Sequence, residues 1–204
     1  MRTRAALRVV GAAIAVLSLS ACQHDERRVG SSQASAAPSC STVRSTTSGP
    51  GKAWLAQQGW RFASAEDAET AYSRLVEGAS PWPDWYEPRE VALPPGTRFQ
   101  MALSAAQAND EPGGFGTFDF IDELSDVRDG LAVREEWKAD VGRVVTYEVV
   151  LPLPARVGPV GAQVDPRSCR LLWGRLSQLE MVVPREDRMK FLRIVEERAI
   201  PAAE

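Results

Sequence analysis

The most constraining stretch of the chain is Val144-Val145-Thr146-Tyr147-Glu148-Val149-Val150-Leu151, closed by Pro152 and Pro154. Branching at Cβ suits a pleated strand and crowds a helix. A run this apolar reads as a central strand buried on both faces, so other elements must cover it. Two alternating stretches read as half-buried strands. After Gly96, Thr97, Phe99, Met101 and Leu103 share one face, with Arg98, Gln100, Ala102 and Ser104 on the other. Over 177–183, Gln178, Glu180 and Val182 stand opposite Leu179, Met181 and Val183. Residues 170–173 form a further short strand before Gly174. One helix is predicted over 65–77. Ser64 and Asp67 make a capping box, and Glu66, Asp67 and Glu69 complement the N-terminal dipole. Ala68, Ala71, Tyr72, Leu75 and Val76 form one face, and Gly78 supplies the stop. The fold class is α+β, dominated by strands.

Between these elements the chain is irregular. Residues 79–95 hold Pro81, Pro83, Pro88, Pro94 and Pro95 around Trp82, Trp85 and Tyr86, which excludes a helix or a central strand. The segment reads either as an aromatic lip on a cleft or as a braced loop packing its rings over the core. Packing is favoured, because large aromatic residues are usually mostly buried. Residues 105–114 are a polar loop, 115–124 a short strand running into a turn at 126–130, and 155–168 a Gly- and Pro-rich loop. Arg134, Glu135, Glu136, Lys138 and Asp140 look like a solvated charged face. After Pro184 the chain reads as a helical turn and a final strand over 191–195, or as one helix.

The N-terminus sets the destination. Arg2, Arg4 and Arg8 precede an apolar run from Val9 to Leu19, too short for the ~20 residues of a membrane span. This is a signal peptide over 1–21. Leu19-Ser20-Ala21-Cys22 resembles a bacterial lipobox. The resemblance implies cleavage before Cys22, lipidation of Cys22 and a membrane contact through that anchor. Gln23, in place of Asp, implies the outer membrane of the envelope. Residues 22–52 are the lipidated cysteine and a flexible linker, for 23–52 contains no Leu, Ile, Met or aromatic residue. The globular domain is placed at 53–204.

Charge and composition exclude several functions. The formal charge is −3, and it becomes more negative once the three arginines of 1–21 leave. No basic run is present, so nucleic acid is not an expected partner. The single histidine, His24, lies in the linker. A Ser-His-Asp triad, a Cys-His dyad or an HExxH zinc helix is therefore excluded. Three cysteines give no zinc spacing, so no metal is expected. With Cys22 taken by lipid, Cys40 and Cys169 are left to pair in an oxidising compartment.

The C-terminal half carries a second resemblance. Leu93-Pro94-Pro95-Gly96-Thr97, Tyr147–Pro154, Gly158-Pro159, Gly174 before Gln178, and Phe191–Val195 follow in order. This order resembles the NAD glycohydrolase domain of tuberculosis necrotizing toxin and its relatives, which has an ADP-ribosyltransferase-like fold. The resemblance implies NAD as a substrate. It assigns Gln178 and Glu180 to catalysis near the nicotinamide ribose and Arg98 to the pyrophosphate. Cleaving that bond develops oxocarbenium charge, which a carboxylate stabilises, and a pyrophosphate suits a guanidinium fork. Met101, Ala102 and Leu103 stand where the pattern has an arginine, and Trp173-Gly174-Arg175-Leu176 replaces its triple-glycine loop. The alternative is a non-catalytic envelope lipoprotein that binds a protein partner in an accessory or immunity-type role.

Overall fold

A computed structural model describes residues 43–201. The lipobox, Cys22 and Cys40 lie outside the described residues. The architecture is α+β: two α-helices and nine strands, with short 3-10 and π-helical turns, among the described residues.

Two sheets carry the core. One joins β1 (Arg89–Leu93), β5 (Leu153–Pro159), β8 (Ser177–Met181) and β3 (Phe115–Gly116) in that spatial order. The other joins β2 (Arg98–Leu103), β4 (Arg143–Val149) and β9 (Leu192–Ala199). Every pairing in both is antiparallel. Their facing side chains form one buried cluster. Phe99, Met101, Leu103, Val145, Tyr147 and Val149 come from the second sheet, and Leu153, Ala155, Leu179 and Met181 from the first. The predicted alternation of β2 and β8 is therefore the packing pattern itself. Val144, on the other face of β4, is buried against Ile121, Val127 and Ile200. Both faces of the central strand are covered, as its composition requires.

A second body packs the helices on a two-stranded ribbon of β6 (Gln163–Asp165) and β7 (Arg170–Leu172). Helix α2 (Ala65–Gly78) matches the sequence pattern. Ser64 Oγ accepts from Asp67 N at 3.1 Å and donates to the Asp67 carboxylate at 2.7 Å. It ends differently: Gly78 stays helical, and Ala79 takes the left-handed turn at φ 46°. Helix α1 (Gly49–Gln58) begins in the stretch read as linker and runs on into the globular domain. Ser48 caps it by accepting from Gly51 N, and Pro50 sits in its first turn. The folded part thus reaches at least to Val43, which is buried and accepts the Tyr72 hydroxyl at 2.7 Å. Weak local signals here are decided by the burial of Trp54 against Phe62 and Tyr72. Cys169, in the β6–β7 turn, is disulfide-bonded and packs on this cluster.

Other differences have a common cause. β1, β5 and β6 fall in stretches read as loops because of their prolines and glycines. β1 is an edge strand between Pro88 and Pro94, where no second partner needs its amides. β5 has Pro154 and Pro159 near its ends yet pairs on both sides. Its Gly158 seats the Tyr86 ring, whose hydroxyl donates to Val157 O at 2.8 Å. A Cβ at 158 would stand 2.1 Å from that ring. Gly158→Ala is expected to cost about 1–2 kcal/mol by overpacking, read as a lower urea midpoint with an unchanged slope. After the 3-10 turn Arg185–Lys190 the chain ends in a strand, as favoured, but β9 is longer than predicted.

Candidate functional site

Strands β2, β3, β6 and β8 converge on a cavity of about 390 Å³. That is within the usual size of small-ligand pockets. Gln100 and Ala102 reach it from β2, Gln163 from β6 and Gln178 from β8. Gly113 and Gly114 form part of its wall, and Phe115 and Trp137, both half exposed, line it too. Among the described residues, no aspartate or glutamate lines this cavity. Lys138 is the charged side chain among its lining residues.

The three amides differ in what they have left to offer. Gln100 is engaged at both ends, accepting from Ile121 N at 2.8 Å and donating to Thr146 Oγ1 at 3.4 Å. Gln163 accepts from Arg134 at 2.9 Å and donates to Ser80 O. Gln178 donates through Nε2 to Pro81 O at 3.1 Å. A carbonyl can only accept, so this contact fixes which way the amide is turned. Gln178 Oε1 has no hydrogen bond among the described residues. It is an oriented acceptor on the cavity wall.

The sequence-predicted residues are not brought together. Gln178 lines the cavity, whereas Glu180 and Arg98 do not. Glu180 pairs with Arg156 at 3.4 Å, which also holds Glu90 at 3.1 Å. Arg98 pairs with Glu148 at 2.9 Å, and Glu148 also takes Arg193. These two guanidinium contacts hold the Glu148 carboxyl below its ordinary value. Arg98 does share a strand face with Gln100, but its charge is spent on Glu148. Trp82 and Trp85 do not line the cavity, although Pro81 and Ala79 do.

The charged run 134–140, read as solvated, is partly inside the structure. Arg134 is only 6% exposed, holds Gln163, and lies over the Trp137 ring at 4.8 Å. Lys138 Nζ donates to Ala102 O at 2.7 Å, and desolvation pulls its pKa below the usual lysine value. Lysine and arginine spaced four apart gave no signal of this, because either side of the segment could have faced water.

A carboxylate next to Gln178 anchors its strand. Asp119 accepts from Ser177 N at 2.5 Å and from Thr117 Oγ1 at 3.2 Å. Hydrogen bonding by Ser177, through hydroxyl and backbone, holds the Asp119 carboxyl below its ordinary 3.8 against the raising effect of burial. A depressed folded-state pKa contributes stability that is full above the unfolded value and lost as pH falls through the folded one. The Ser177 amide is therefore expected to lose hydrogen-exchange protection on acidification below the ordinary aspartate range. Asp119→Asn should flatten that dependence.

No protein-family model matches the chain, and no curated protein matches it. Among solved structures, the Tne2–Tni2 complex contains a chain 23% identical to this one, with a TM-score of 0.49. The match covers 60% of this chain and 99% of that one. Rhs1-CT in complex with its cognate immunity protein RhsI1 matches at 12% identity and a TM-score of 0.36, over 57% of this chain and 84% of that one.

Proposed function

We propose that this chain is a lipid-anchored envelope protein whose ADP-ribosyltransferase-like domain binds NAD in the cavity at Gln178. The observation that carries this reading is the turned amide of Gln178. Pro81 O takes one of the two Nε2 hydrogens and so fixes the sense of the amide, which leaves Oε1 to accept from a donor on the ligand, such as the nicotinamide carboxamide or a ribose hydroxyl. The Trp137 and Phe115 rings suit a planar heterocycle. The lining favours binding over cleavage. Glycosidic cleavage wants a carboxylate near the developing cation, and Glu180 would first have to leave Arg156. The protein-partner reading is supported by Phe115, Phe118 and Phe120, all exposed beside the cavity mouth or close to it in sequence.

The test is titration of the mature full-length chain with NAD by calorimetry, with nicotinamide release followed in parallel. Saturable binding with little release supports the reading. Heat of mixing alone, up to millimolar NAD, overturns it.

A further inference from the structure

We infer that the domain rests on the membrane surface through the end that carries Trp60 and Trp85. This rests on the lipid-anchor part of the proposed function and is independent of NAD. Trp60 is 83% exposed and Trp85 61% exposed, unusual values for the largest side chain. Trp60 Nε1 is already satisfied by Gln57 O at 2.8 Å, so the ring presents its apolar body outward. The segments that carry the two rings are tied together. Arg61, next to Trp60, makes paired contacts of 2.9 and 3.0 Å with Asp84, next to Trp85.

Beside that ion pair lies a groove of about 220 Å³, lined by Arg61, Asp84, Trp85, Trp173 and Arg175 among others. Arg61 neutralises Asp84. Arg175 is exposed and makes no side-chain hydrogen bond or ion pair among the described residues. Amphipathic rings around an unspent guanidinium match the membrane interface, where indoles sit at headgroup depth and a cation meets lipid phosphate. No helix of the described residues is long and apolar enough to cross a membrane.

The attachment point agrees. The described chain begins at Val43, buried in the same cluster as Trp54, which also lines the groove. Cys22 is 21 positions earlier. A flexible chain of that length has a root-mean-square reach of roughly 25 Å. An anchored domain is thus held close to the bilayer, where a weak surface contact is occupied much of the time.

The test uses the full lipidated chain in vesicles of phosphatidylethanolamine and phosphatidylglycerol with bromine on the upper acyl chain. Tryptophan quenching is expected, and W60F/W85F should lose most of it while still floating with the vesicles. Both rings are exposed, so this variant leaves the core intact. R175E should reduce the quenching with phosphatidylglycerol present and not with neutral lipid. Three outcomes overturn the inference while leaving the anchor: no quenching, quenching retained in W60F/W85F, or quenching lost in W137F instead. Failure of the wild-type chain to float overturns the anchor reading beneath it.

Discussion

Replacing Gln178 with alanine is expected to weaken NAD binding by about ten- to a hundredfold, with only a small loss of stability. The affinity change follows from leaving a ligand donor unpaired in a desolvated pocket, about 1–3 kcal/mol, at 1.4 kcal/mol per decade. The small stability change follows from Pro81 O, which also accepts Gly161 N at 2.8 Å and so keeps a partner. Gln178→Glu should be worse than alanine. It removes the N–H that Pro81 O accepts and sets a carboxylate oxygen against that carbonyl. Arg98→Ala and Glu180→Ala should leave affinity within about threefold, since neither lines the cavity. Calorimetry on the four proteins, with thermal unfolding as the folding control, reads the result. An unchanged affinity in Gln178→Ala removes the residue from the site. A large loss in Arg98→Ala would mean that its pair with Glu148 opens when ligand binds.

These contrasts show how far a pattern goes. β2, β4 and β8 were legible because period-two alternation and β-branching act locally, and both faces they define are the faces that pack. Gln178 and Glu180 were correctly placed on one side of a strand. Alternation says nothing about what lies across from that side. Phe115 pairs with Glu180, Arg156 reaches it from β5, and the cavity begins only at Gln178. β5 was not legible, since its place between β1 and β8 is fixed by long-range pairing that tolerates Pro154 and Pro159. The same holds for Arg134 and Lys138. Their heads are buried by acceptors far along the chain, Gln163 and Ala102, which no local charge pattern reveals.

Removing the Cys169 disulfide is expected to lower stability by about 3–5 kcal/mol, the largest single effect foreseen for this fold. Cys169 is disulfide-bonded, and the proposed partner is Cys40, three positions before Val43. Such a bond closes a loop of about 130 residues, and the loop-entropy relation gives about 4–5 kcal/mol for that length. Cys169 is held at φ 54°, a left-handed backbone that costs about 1–2 kcal/mol in a residue with a side chain. The net gain stays well above zero. The bond also acts where the chain needs it. Helix α1 has little amphipathic character of its own and is kept in place by Trp54, Tyr72 and Val43. A covalent tie through Cys40, just before Val43, would limit how far that segment can leave the ribbon of β6 and β7. Cys40→Ser and Cys169→Ser should therefore show equal losses in guanidinium unfolding, and reductant should bring the wild-type chain to the same midpoint. Hydrogen exchange should show protection falling first in α1. A Cys40→Ser protein as stable as wild type would assign the bond to Cys22 instead, and would leave no thiol for the lipid anchor.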